Sequence, residues 1–90
     1  MYITQEELQL PNAAQKCIQE FEAALQGQLI RFGAPGYDNA HELIYHGRTD
    51  LCPAYIVRCW HDTDMLLSVN FAIEHNMKTF IFRSYVALDW

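Results

Sequence analysis

Residues 54–84 read AYIVRCWHDTDMLLSVNFAIEHNMKTFIFRS, and the reading of this stretch decides the fold. Residues 54–59 are rich in β-branched and aromatic side chains, which suit a pleated, half-buried surface. Asp62 or Thr63 then offers a helix cap, and Asp64 places a negative charge in the first turn, favourable to the helix dipole. Met65, Leu66, Val69, Ala72 and Ile73 recur at helical spacing and form the expected inner face, with Leu67 and Phe71 on the other side. Asn76 suits a left-handed helix terminator. Residues 78–83 follow as a second strand, expected to be buried because Phe80, Ile81 and Phe82 run together. Strand, helix, strand at this spacing predicts a βαβ unit with a right-handed crossover and parallel strands 54–59 and 78–83. Such sheets bind ligands beyond the C-terminal ends of their strands, here Arg58-Cys59 and Arg83-Ser84.

Upstream, Thr4 and Glu7 have capping-box spacing, and Pro11 cuts that turn short. Asn12 offers a new cap for an amphipathic helix over 13–26, with Ala14, Cys17, Ile18, Phe21, Ala24 and Leu25 on one stripe and Gly27 as its stop. Residues 28–32 are short and apolar, an irregular or edge strand. A Gly-Ala-Pro-Gly loop over 33–36 leads to a short helix over 38–46, capped by Asp38 or Asn39 and closed by Gly47. The fold class is therefore α/β (α+β), a small βαβ unit with helices 13–26, 38–46 and 62–76. The apolar stretch Tyr85, Val86, Ala87, Leu88, Asp89, Trp90 is expected to pack onto its own chain at the sheet edge, with weak self-association through what stays exposed.

Ninety residues make at most one domain, near the small end of what folds alone. Hydrophobic residues are 51% of the chain, enough for a core. Eleven acids oppose six bases, a net charge of −5, which argues against a nucleic-acid surface. No apolar run is long enough to span a bilayer, and the polar, acidic start has none of the features of a signal peptide. Three cysteines, an odd count, do not suggest a disulfide framework, so a reducing, cytoplasmic compartment is expected.

Pro53, Ile56, Val57, Arg58, Cys59, Asp64, Val69, Phe71, Ala72, His75, Asn76 and Arg83 fall in register with one known pattern. The run resembles the FAD-binding domain of the p-cresol methylhydroxylase type, closest to its berberine-bridge-enzyme and hydroxynicotine-oxidase branch. There the chain reads approximately Pro-x-x-Ile-Val-Arg-Cys, a capped helix, and a strand ending Arg-x-Gly-Gly-His. Upstream, GYDNAHELIYHGR is similar to the family segment in which a Tyr precedes a short helix. The likeness covers about residues 28–84. It implies a single partial domain over 1–90, the N-terminal lobe of an FAD-linked oxidase, with Arg83 and Ser84 as vestigial cofactor-binding residues. In that family a glycine-rich loop holds the flavin pyrophosphate on backbone N–H groups. Here Tyr-Val-Ala-Leu-Asp-Trp follows Ser84, without glycine or histidine. The resemblance therefore implies a chain truncated inside its flavin loop, with FAD as the family cofactor, none held by this chain alone, and the rest of the enzyme as a missing partner.

The remaining candidates have plainer readings. Arg58 is expected on the polar face of its strand, in a surface ion pair at most. Arg83 has a solvent contact or Asp89 as its ordinary alternative, and Tyr37 is expected in core packing. Cys59 and His61 are close in sequence, but His41 and His46 stand five apart, off one helical face, and no Cys-x-x-Cys exists, so no zinc site is read. Neither Cys52 nor Cys59 has a base placed beside it by a local motif, so no catalytic residue is assigned. Two functions compete: a flavin-oxidase lobe that is not competent alone, and a small protein-interaction module using an exposed helix face and a sheet edge.

Overall fold

A computed structural model describes residues 9–48 and 50–90; the Thr4–Glu7 capping box lies outside them. In chain order the elements are α1 (Asn12–Ala24), β1 (Gln28–Arg31), α2 (Tyr37–Tyr45), β2 (Tyr55–Arg58), α3 (Asp62–Glu74), β3 (Lys78–Phe82) and β4 (Tyr85–Asp89). The fold is mixed α+β, with a four-stranded sheet in the order β1-β2-β4-β3.

Every pairing in that sheet is antiparallel. This corrects the expected parallel pair: β2 and β3 do not pair, because β4 lies between them and pairs with both. The cause is local. Residues 83–84 make a two-residue turn, so β4 folds straight back on β3 and fills the place beside β2. The apolar tail therefore packs on its own chain, as a central strand and not at the edge. Val86, Ala87 and Leu88 are buried. The strand left at the edge is β3, expected to be buried, whose Lys78, Thr79, Phe80 and Ile81 are all exposed.

The pleat sorts side chains onto two faces. Leu29, Tyr55, Val57, Val86 and Leu88 meet Ile18 and Phe21 of α1 and Phe71 and Ala72 of α3. Ile30 and Ile56 face the other way and meet Tyr37, Ala40 and Ile44 of α2, with Tyr45, Phe82 and Tyr85 against them. Both sides of the sheet are thus covered, and Phe21 stacks on Phe71 at 4.4 Å between α1 and α3.

Helix caps move by one to three residues from the sequence reading. Pro11, and not Asn12, caps α1, its carbonyl accepting from the Gln15 N–H. His61 caps α3 in place of Asp62 or Thr63, and Gly36 caps α2 in place of Asp38 or Asn39. Asn76 does adopt the left-handed conformation, at φ 54°. At the end of α2 the first left-handed residue is His46, at φ 50°, with Gly47 after it.

The inner face of α3 differs more. Asp64, Ser68, Phe71 and Ala72 are buried, while Leu66 is 62% and Ile73 70% exposed. The helix is rotated because Asp64 is pinned. Its carboxylate accepts from the backbone N–H groups of Gln26, Gly27 and Trp60 at 2.8–2.9 Å. That ties the α1–β1 link to the start of α3. Gly27 belongs to the same knot: a Cβ there would overlap the Arg58 carbonyl oxygen. A helix running to residue 26 would carry the Gln26 N–H away from Asp64, so α1 ends at Ala24, with Leu25 already extended. On the α1 side of the sheet, buried Arg31 makes a two-pronged ion pair with Glu22 at 3.0 and 3.1 Å.

Candidate functional site

The C-terminal end of β2 and the β3–β4 turn lie together at one end of the sheet, where the sequence reading placed a ligand. The register sets Arg58 opposite Tyr85, one residue beyond the turn, and the Cys59 N–H donates to the Ser84 carbonyl at 2.7 Å. Arg58, Arg83 and Ser84 are thus brought to one end of the sheet.

Arg83 and Ser84 are the two central residues of the turn, and Arg83 sits at φ 54°. Two-residue hairpins that need a positive φ at their first central residue usually place glycine there. The Arg83 guanidinium lies over the Phe82 ring, 5.5 Å from its centroid. Arg83 is also exposed, as its solvent reading had it, while Asp89 is out of reach, opposite Lys78 at the far end of the hairpin. Arg58 is exposed and has no ion pair among the described residues, where a surface pair had been the ordinary reading.

Cavities open on both sides of the turn. One, of about 200 Å³, lies between Cys59, Trp60, His61, Asp62 and Met65 on one side and Arg83 and Ser84 on the other. The second, of about 440 Å³, is lined by Leu43, His46, Phe82, Arg83, Ser84 and Tyr85.

The residues at this turn do not fit a flavin pyrophosphate. An anion nest needs successive backbone N–H groups turned toward one point. In a two-residue hairpin the closing pair, here Phe82 and Tyr85, exchanges its backbone bonds. The Ser84 carbonyl is engaged by Cys59. No glycine stands between residues 83 and 90 to let a phosphate approach the chain closely.

Other reactive groups are held in structural roles. Burial pushes the Cys59 thiol up from its ordinary value; the nearby Asp64 charge adds to this and a hydrogen bond from Ser68 opposes it. The thiol is kept neutral and is no nucleophile near neutral pH. For Asp64, burial pushes the carboxyl up, yet the backbone donors of Trp60, Gln26, Gly27 and His61 together outweigh it and hold it below the ordinary value. Tyr37 is buried and donates its hydroxyl to the Pro53 carbonyl at 2.8 Å; burial raises its pKa well above that of free tyrosine. This matches the core role expected for it. Cys17, expected on an apolar stripe, is exposed. His41 bonds the Leu51 carbonyl. Among the described residues no three His, Cys, Asp or Glu side chains are placed to hold a metal ion. No described helix is long and apolar enough to cross a membrane.

The sequence reading missed the free β3 edge. In the hairpin, Lys78, Phe80 and Phe82 exchange backbone bonds with β4, so Thr79 and Ile81 turn their N–H and C=O groups outward. Phe80 and Ile81 are about half exposed there. The spacing of two apolar runs separated by two residues suits a hairpin, but Arg83-Ser84 lacks the Asn or Gly that would mark one. No protein-family model, no curated protein and no solved structure matches this chain.

Proposed function

We propose that this chain is a protein-binding module that takes an extended segment of a partner onto its β3 edge, and that it holds no flavin of its own. The observation that carries this reading is the edge. Natural edges are blunted by proline, bulges, inward charges or a covering element. On β3 the register with β4 runs unbroken, no proline occurs, and the one charged side chain, Lys78, stands at the start of the strand. The opposite edge, β1, has Leu29, Ile30 and Arg31 buried. An open edge of this kind supports strand addition, with main-chain bonds for affinity and alternate side chains for selectivity.

Charge selects the partner. Lys78 and Arg83 flank the edge without an ion pair among the described residues, in a chain of net charge −5. The segment that fits is an apolar, β-branched strand with a carboxylate at each end. The working compartment is taken as the cytoplasm, since exposed thiols at Cys17 and Cys52 suit reducing conditions.

The test uses the blocked peptide Glu-Val-Phe-Val-Glu and its Lys-Val-Phe-Val-Lys counterpart, followed by the amide resonances of the labelled protein. The acidic peptide is expected to shift Thr79 and Ile81 and the basic one to leave them unmoved. Thr79→Pro, which removes an outward N–H, should abolish the shift while the protein stays folded. Shifts that persist in Thr79→Pro, or that both peptides produce equally, would sink the reading.

A second reading keeps the flavin lineage: a lobe related to FAD-linked oxidases whose cofactor loop has become a turn. Its support is the order strand, helix, strand with Arg58 and Arg83 at one end of the sheet. Mixed with excess FAD and passed through gel filtration, the protein is expected to emerge colourless. A retained flavin spectrum near one equivalent would restore cofactor binding.

A further inference from the structure

The 440 Å³ cavity between the end of α2 and the β3–β4 turn has a lining unlike the rest of the molecule. The chain carries a net charge of −5, yet no Asp or Glu lines this cavity, and two potential cations, His46 and Arg83, do. Both sit at positive φ, 50° and 54°, and among the described residues only Asn76 also does so without being glycine. Strained backbone is retained where surrounding structure demands it and gathers at ligand clamps. Arg83 has no ion pair among the described residues, and its guanidinium is held over Phe82, a contact that fixes its position without neutralising it. The His46 ring stands edge-on to the same Phe82, at 5.8 Å. Apart from Ser84, the rest of the lining is apolar or aromatic: Leu43, which is 53% exposed, with Phe82 and Tyr85.

We propose that this cavity is a binding site for a small aromatic carboxylate. The carboxylate accepts from the planar fork of the Arg83 guanidinium, whose geometry matches two oxygens in one plane. The ring lies against Leu43 and Phe82 and removes apolar surface from water. The Ser84 hydroxyl is a further donor at the same wall.

The experiment titrates the protein with 2-naphthoate, its uncharged isostere 2-naphthamide, and inorganic phosphate, read by naphthoate fluorescence and by the amide resonances of residues 43, 46 and 82–85. Naphthoate is expected to bind saturably, with naphthamide weaker by on the order of tenfold to a hundredfold, the scale of one lost charged hydrogen bond. Phosphate alone should leave the resonances in place, because it has no apolar body. The decisive variant is Arg83→Gly. Glycine relieves the positive φ, so the variant should melt higher than the parent while binding naphthoate at least tenfold more weakly. Arg83→Lys keeps the charge and loses the fork, and should fall between the two. Equal binding of naphthoate and naphthamide, displacement of naphthoate by phosphate at equal concentration, or unchanged affinity in Arg83→Gly would each overturn the proposal.

Discussion

Asp64 shows how one side chain sets the rotation of a helix and the end of another. Its oxygens satisfy backbone donors from the α1–β1 link and from the residue before α3's cap, in a position closed to water. Asp64→Ala leaves those part-buried N–H groups without their acceptor, at a cost of about 2 kcal/mol, read as a drop in urea midpoint. The folded carboxyl ionises at lower pH than the unfolded one. Its stabilisation is therefore complete above the unfolded value, roughly 3.9, and is lost as pH falls through the folded value. Stability followed from pH 6 to pH 2 should decline over that window in the parent and much less in Asp64→Asn. The thiols make a second residue-scale prediction. With iodoacetamide at pH 7.5, Cys17 and Cys52 should be alkylated in the native protein and Cys59 only after unfolding. Rapid native labelling of Cys59, seen by mass spectrometry, would contradict its burial and its raised pKa.

Among the elements, the β3–β4 hairpin is the one that rewrites the topology. Proline scanning checks its hydrogen-bond phase. Thr79→Pro removes an N–H that faces solvent and should change stability by less than about 1 kcal/mol. Phe80→Pro removes one that bonds β4 and should cost about 3 kcal/mol or more. If the two variants melt alike, the assigned phase of the strand is wrong. Strand 54–59 and helix 62–76 were legible because each has strong local chemistry: β-branched and aromatic residues in one, an acidic first turn and an Asn terminator in the other. The sheet order was not, because the turn that sets it has neither Gly nor Asn. Arg83-Ser84 does not advertise a positive φ. The face of α3 was misread for a related reason. Apolar spacing placed Leu66 and Ile73 inward, while the residue that fixed the rotation was a carboxylate whose partners lie some forty residues earlier. The candidate end of the sheet was legible and its chemistry was not. Strand ends can be counted from sequence, but a cavity lined from α2 and the hairpin exists only once both faces of the sheet are covered.

At the scale of the molecule, β4 is what makes four strands one sheet. It is the shared neighbour of β2 and β3, and Val86 and Leu88 complete the core under α1 and α3. Removing residues 85–90 should therefore abolish cooperative unfolding, and the far-UV circular dichroism of the shortened chain should lose its strand contribution; an unchanged melt would contradict the central placement. The same placement has a kinetic consequence. A two-residue hairpin closes in about 1–10 μs, ahead of pairings that must span a helix. β4 then reaches β2 with β3 already on its far side, so the sheet assembles by docking a ribbon and not by adding single strands. The turn at Arg83 becomes a gate on the folding rate. Relieving it by Arg83→Gly should speed refolding in stopped-flow mixing and leave unfolding nearly unchanged, whereas trimming Leu29 on β1 should act on unfolding alone.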